Sequence, residues 1–290
     1  IPSSVVSIGS DTFYGCKALT SIEIPNTVES IGKEAFSGCN ALASITIPNS
    51  VNTIGDHCFE YCNGLTTISI PHSVKSIGIG ILKFCNNLAS ITVESGNNVY
   101  DSRNNCNAII ETKTNALICG CKNTIIPFSV TSLEDDCFSG CTEMTSINIP
   151  YSIEKIGNGA FSNCKFSEIN IPYSVTSIGS EAFYNCRELK SLNIPNSVKM
   201  IGADAFYNNS WFVAWRSTQE DGLLYMDGIL LGLKGKLPSN EVIVKEGTRV
   251  IAGGTFASRS TITSIIIPST ISAIADKTFY LCSSLSSITF

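Results

Sequence analysis

The chain is short of charge. Only 15% of its 290 residues are Asp, Glu, Lys or Arg, against about 25% in an average soluble protein. No basic cluster is present to hold phosphates, and the net charge of −5 is carried by no acidic tail. Nucleic acid is therefore not expected as a partner. Long apolar runs are missing too. The longest are a few residues, far below the ~20 that a membrane helix needs. Histidine occurs only twice, at His57 and His72. There is no phosphate loop, no Gly-x-Gly-x-x-Gly after a strand and no His-Glu-x-x-His, so the usual nucleotide and metal signatures are lacking. No cofactor and no metal is expected.

What the chain does have is repetition. Residues 19–41, LTSIEIPNTVESIGKEAFSGCNA, are followed directly by LASITIPNSVNTIGDHCFEYCNG. Proline serves as the ruler: Pro2, Pro25, Pro48 and Pro71 are 23 residues apart, and Pro127, Pro150, Pro172 and Pro195 continue at 23, 22 and 23. The unit is L-x-x-I-x-I-P-x-S-V-x-x-I-G-x-x-A-F-x-x-C-x-x. Within it, L-x-x-I-x-I alternates with the period of a strand, so Ile22 and Ile24 point inward while Ser21 and Glu23 point outward. Proline ends that strand because it cannot donate to a ladder. The A-F-x-x-C stretch is too short for a free helix and is expected to form one helical or 3₁₀ turn. A lone unit cannot bury its Leu, Ile, Val and Phe, whereas stacked units cover one another. About twelve repeat slots fill residues 1–290 as a single solenoid, and at the ~4.8 Å strand spacing they would span roughly 57 Å. Both ends of the sequence are read as stopping mid-repeat. Two islands, at about 95–123 and 216–241, lack the Ile-Gly and Phe columns and hand the register back. Each contains an expected β-hairpin, NAIIETKTNALI and GLLYMDGILLG.

The 23-residue unit, with its many columns at fixed spacing, resembles the BspA-type leucine-rich repeat along essentially the whole chain. The resemblance implies a right-handed α/β solenoid, with a parallel sheet on the concave face, short helical turns on the convex side and the two hairpin insertions. It implies a bacterial surface or secreted protein that is not an enzyme and serves adhesion or protein binding. No family-wide catalytic residues exist to carry over.

Thirteen cysteines stand in the chain. An odd number cannot all pair, and eight of them, Cys16, Cys39, Cys62, Cys85, Cys141, Cys164, Cys186 and Cys282, share one repeat column. Cys58 and Cys137 occupy an alanine column. This reads as a ladder of small buried thiols, since free Cys behaves as a small apolar group. Cys106 lies near Cys119-Gly-Cys121, which leaves a local disulfide open. Two pairs at Cys-x-x-Cys spacing, as a zinc site would want, are absent.

The outward strand positions are mostly Ser, Thr and Asn, a neutral hydrogen-bonding face. Asn148, Asn170, Asn193 and Glu168 belong to it. Phe128, Tyr151 and Tyr173 follow the proline in three successive units and are expected to stand side by side as a rim, suited to contact because aromatic anchors dominate interfaces. These seven residues are the candidate binding positions. The expected partner is a protein, from host matrix or another cell surface, or else a glycan, bound by a monomer. A stalk that only holds other domains away from a surface is the structural alternative. Acidic residues in the islands, Glu111, Glu220, Asp221 and Asp227, are the sole enzyme candidates and read better as solvated turns.

Overall fold

The computed structural model describes all 290 residues. Each unit makes one coil, and coils stack by parallel pairing. Ser7 registers with Ser30, Ser30 with Thr53 and Thr53 with Ser76. Farther on, Ser132 registers with Lys155, Lys155 with Ser177 and Ser177 with Met200. These ladders are two residues wide and lie just before the Ile-Gly step, not in the L-x-x-I-x-I segment where the sequence pattern places the main strand. That segment keeps its in–out alternation, but it forms ladders only at Thr67–Ile70 with Ser90–Val93, and among Glu241–Ile243, Ser264–Ile266 and Ser287–Thr289. Two of those three pairings involve a coil whose proline slot holds Glu94 or Lys245. Such a residue keeps the amide that proline lacks, and the Glu94 amide donates to the Ile70 carbonyl at 2.9 Å.

The A-F-x-x-C stretch differs from the expected helical turn. It is a chain of linked turns. The Ser37 amide donates to Glu34 at 3.0 Å and the Cys39 amide to Phe36 at 3.1 Å, while the amides of Glu34, Phe36 and Gly38 donate forward to Asp56, Cys58 and Glu60 in the next coil. Left-handed φ angles at Glu34 (54°) and Gly38 (74°) break any right-handed helix here. On the opposite side of the coil the amides point backward: Glu29 donates to Val6 and Gly32 to Ile8, both at 2.8 Å. Helix is confined to Arg103–Asn105 and Ser210–Thr218.

Inside, phenylalanines stack from coil to coil. Phe138, Phe161 and Phe183 are separated by 5.4 and 5.5 Å between ring centres. All thirteen cysteines are free thiols, and the column has a bonding role that composition alone does not show. The thiols of Cys39, Cys62, Cys85, Cys164, Cys186 and Cys282 donate to the carbonyl of the phenylalanine one coil earlier, at 2.9–3.2 Å. The hydroxyls of Thr27, Ser50 and Ser73 do the same for the carbonyls of Val5, Val28 and Val51 at 2.6–2.7 Å.

The recurrent glycine answers to close approach. A Cβ on Gly202 would sit 2.2 Å from the Ser180 backbone nitrogen, and one on Gly55 would sit 2.4 Å from that of Lys33. Gly202→Ala is therefore expected to lower stability by about 1–3 kcal/mol. Urea unfolding would show this as a lower midpoint with an unchanged slope.

Both islands contain antiparallel hairpins. Ala108–Glu111 pairs with Ala116–Gly120, and Gly222–Met226 with Ile229–Lys234. Each feeds the cores on both sides of it. Ile109 packs with the N-terminal core and Ile110 with the central one; Leu231 packs with the central core and Leu230 with the C-terminal one. The second island is preceded by the helix Ser210–Thr218, so Trp215, which the repeat register places in an inward strand column, is helical instead. Trp211 and Trp215 pack half-buried against the central core.

Candidate interaction surface

Four successive coils present I-I-P-F (125–128), N-I-P-Y (148–151), N-I-P-Y (170–173) and N-I-P-N (193–196) in register. The second residue of each, Ile126, Ile149, Ile171 and Ile194, is buried and fixes the direction of its neighbours, because side chains alternate across an extended segment. Asn148, Asn170 and Asn193 are thereby held outward and exposed. The buried prolines Pro127, Pro150 and Pro172 lock the following turn and set Phe128, Tyr151 and Tyr173 at the edge of this face. Those three rings are 76%, 71% and 70% exposed.

The rings do not stack as expected. The stacked pairs outside the Phe column lie elsewhere, at Tyr61–Phe84, Tyr184–Tyr207 and Phe212–Trp215. Phe128, Tyr151 and Tyr173 each project into solvent, so their faces are free. Glu168, also exposed, enters none of the six ion pairs. The face carries one residue that the sequence reading passed over. Ile125, 75% exposed, stands two before Pro127 in the same outward column as Asn148. The end of the first island hides that register, and counting back from the proline recovers it. Ile125, Phe128, Tyr151 and Tyr173 together make an apolar stripe edged by amides, its outer coils about 10 Å apart at the ~4.8 Å coil spacing.

The titratable groups are dispersed. His57 and His72 do not meet: His57 Nδ1 lies 3.3 Å from Glu60, and His72 Nδ1 lies 3.4 Å from Glu94. Burial raises the Glu60 carboxyl above its usual range. Glu111 sits on the first hairpin, and Glu220, Asp221 and Asp227 around the second. No group of three or more His, Cys, Asp or Glu side chains is gathered as a metal site, and no helix is long and apolar enough to cross a membrane.

The BspA type leucine rich repeat region model matches residues 1–110, 108–213 and 236–290. The chain belongs to this family. Among solved structures, it resembles a leucine rich cell surface protein of Faecalibacterium prausnitzii A2-165 at 26% identity and a TM-score of 0.55, covering 100% of this chain and 70% of that one. A leucine-rich repeat protein of Eubacterium ventriosum shares the fold at 23% identity and a TM-score of 0.58, over 100% of this chain and 71% of that one. The pneumococcal vaccine antigen PcpA shares it at 18% identity and 0.54, over 99% and 66%. A search of curated proteins finds no match. In this BspA-type chain the exposed Ile125, Phe128, Tyr151 and Tyr173 stand on three successive coils beside buried Ile and Pro.

Proposed function

We propose that the chain is a non-catalytic binding module of a bacterial surface or secreted protein, and that it holds a macromolecular partner on the stripe of Ile125, Phe128, Tyr151 and Tyr173, with Asn148, Asn170, Asn193 and Glu168 contributing hydrogen bonds. The observation that carries this reading is the exposure of three neighbouring aromatic rings. Apolar groups exposed together and rimmed by polar ones mark interaction sites, and aromatic anchors concentrate binding energy. The F. prausnitzii relative, described as a cell surface protein, supports the location. A protein partner, from host matrix or another cell, fits a stripe of this length. A glycan is the second reading, favoured by the amides, since sugars stack on exposed rings and take hydrogen bonds from Asn.

The test is binding to immobilised fibronectin and collagen and to a glycan array. Tyr151→Ala/Tyr173→Ala is expected to weaken binding at least tenfold. Its melting temperature should stay close to that of the parent, because exposed substitutions usually change stability by less than about 0.5 kcal/mol each. Full binding by the double variant would reject the stripe, and absence of binding at high micromolar protein would leave the stalk alternative.

A further inference from the structure

A second site is built on the opposite side of the coil, beside the second island, where the forward stacking is broken. In regular coils the amides of Glu181, Phe183 and Asn185 donate forward to the carbonyls of Ala203, Ala205 and Tyr207, each at 2.8 Å. The next amides in those columns, Asp204, Phe206 and Asn208, have no acceptor in the protein. The carbonyls that should receive them, Gly253, Thr255 and Ala257, have no donor. The phenylalanine stack breaks at the same level. Phe183–Phe206 and Phe256–Phe279 are stacked at 5.9 and 5.8 Å, but Phe206 turns to Trp211, edge-on at 5.7 Å.

The cause is a one-residue slip. Gly202 donates to Ile178 at 2.8 Å, and the same column in the coil at 251–259 holds Ala252. Ala252 donates to Leu230 of the second hairpin instead, and Gly253 takes the bond to Ile201 at 2.8 Å. Alternate amides in a ladder point opposite ways, so a slip of one residue sets like groups against each other. The coils part into a cleft of about 200 Å³, walled by Phe206, Tyr207, Phe212, Arg216, Leu233 and Arg259.

At the first island the Gly80 and Leu82 amides also lack a backbone acceptor, but other bonds span the level. There the Phe84 amide reaches the Ser139 carbonyl at 3.1 Å, the Gly120 amide takes the Cys137 carbonyl at 2.8 Å, and Lys83 pairs with Asp136 at 3.0 Å. At the second island, neither Arg216 nor Arg259 has a carboxylate partner among the ion pairs. Arg216 donates only to the Leu233 carbonyl, at 2.9 Å, and Asp204 at the mouth is the single acidic lining residue.

We propose that this cleft binds a short peptide segment of a partner protein, backbone first, with a carboxylate of that segment set against Arg216 and Arg259. Two unpaired amides on one wall, Asp204 and Phe206, and three unpaired carbonyls on the other, Gly253, Thr255 and Ala257, at alternate residues, match what a peptide backbone offers along its two edges. Unpaired ladder edges are templates for such pairing. The small volume takes a short segment and excludes a folded domain.

The experiment is selection of a phage-displayed random dodecapeptide library on the intact chain. Selected peptides are then synthesised with free and amidated C-termini and with N-methylated backbones. Acidic peptides with micromolar Kd are expected. N-methylation at alternate residues should weaken them at least tenfold, and amidation should matter only if the terminal carboxylate is the anion. Gly232 lines the cleft, and a Cβ on it would meet nothing within 4 Å, so Gly232→Trp is expected to abolish binding by filling the space. Arg259→Glu should weaken it more than tenfold, while Tyr151→Ala/Tyr173→Ala leaves it unchanged, which separates this site from the stripe. Hydrogen exchange gives a readout independent of any variant's folding. The amides of Asp204 and Phe206 should exchange fast in the free chain and slow on peptide binding, with Glu181 and Phe183 slow throughout. Failure to enrich peptides, peptides indifferent to both Gly232→Trp and Arg259→Glu, or a Phe206 amide as protected as that of Phe183 in the free chain would each overturn the proposal.

Discussion

Titration from pH 8.5 towards 10.5 is expected to unfold the solenoid cooperatively, because of its thiols. Burial pushes Cys62 and Cys186 up to about 12, and raises Cys58, Cys85, Cys119, Cys137 and Cys164 well above the ordinary thiol value. In the unfolded chain the same groups ionise near pH 8.5. Below that pH both states hold their protons and the stability is whole. Above it the unfolded state sheds protons that the folded state keeps, so stability falls until the pH passes the folded values. At about 1.4 kcal/mol per pH unit for each thiol, Cys62 and Cys186 alone remove about 3 kcal/mol per unit. The five others act in the same direction, and a typical fold has only about 5–15 kcal/mol in total. Circular dichroism against pH would follow the loss. Cys62→Ser/Cys186→Ser keeps a donor for the carbonyls of Phe36 and Phe161 but does not titrate in this range, so its midpoint should move to higher pH. A chain that stays folded at pH 11 would contradict the assignment.

Phe161→Ala should be among the most damaging single changes. The ring is fully buried, stacked on both neighbours at 5.4 and 5.5 Å, and met edge-on by Phe166 at 5.8 Å. Truncating a buried Phe costs about 3–5 kcal/mol, which for a chain of this size lowers Tm by roughly 10 °C. Phe279 is the built-in comparison. It is half-buried and stacks on one side only, against Phe256 at 5.8 Å, so Phe279→Ala should cost less than half as much. Since a repeat array is held by nearest-neighbour contacts, hydrogen exchange in the Phe161 variant should quicken first in the coils on either side of it. Equal losses for the two variants would mean that the Phe column is not stabilised by two-sided stacking.

The columns were legible in the sequence because side chains carry them. Proline, phenylalanine and cysteine recur at fixed spacing, and only stacking buries Phe36, Phe59 and Cys62 together. Backbone pairing was less legible. Both L-x-x-I-x-I and S-V-x-x-I-G have strand-like patterns, and nothing in side-chain alternation says which one keeps its ladder bonds. The turns at Glu34 and Gly38 were read as helical because A-F-x-x-C spacing suits either, and the left-handed φ at a glutamate leaves no compositional mark. The helix at 210–218 was hidden by carrying the repeat register through it. The sequence singled out Phe128, Tyr151 and Tyr173 by their column after proline. Ile125 was lost to the edge of an island, and the cleft depends on a slip of one residue, which shows only when hydrogen bonds are traced coil by coil.

The thiol-to-carbonyl bond has a consequence for how such a chain can change its length. Each of the six units that make it brings one Cys donor for the Phe carbonyl of the unit before it. Doubling or deleting a unit therefore leaves each neighbour with the partner it had, and no sulfur is left facing a new sulfur. A disulfide-stapled scaffold has no such tolerance, because an added unit alters which cysteines can find each other. Copy number can change in steps of about 23 residues with this wiring intact.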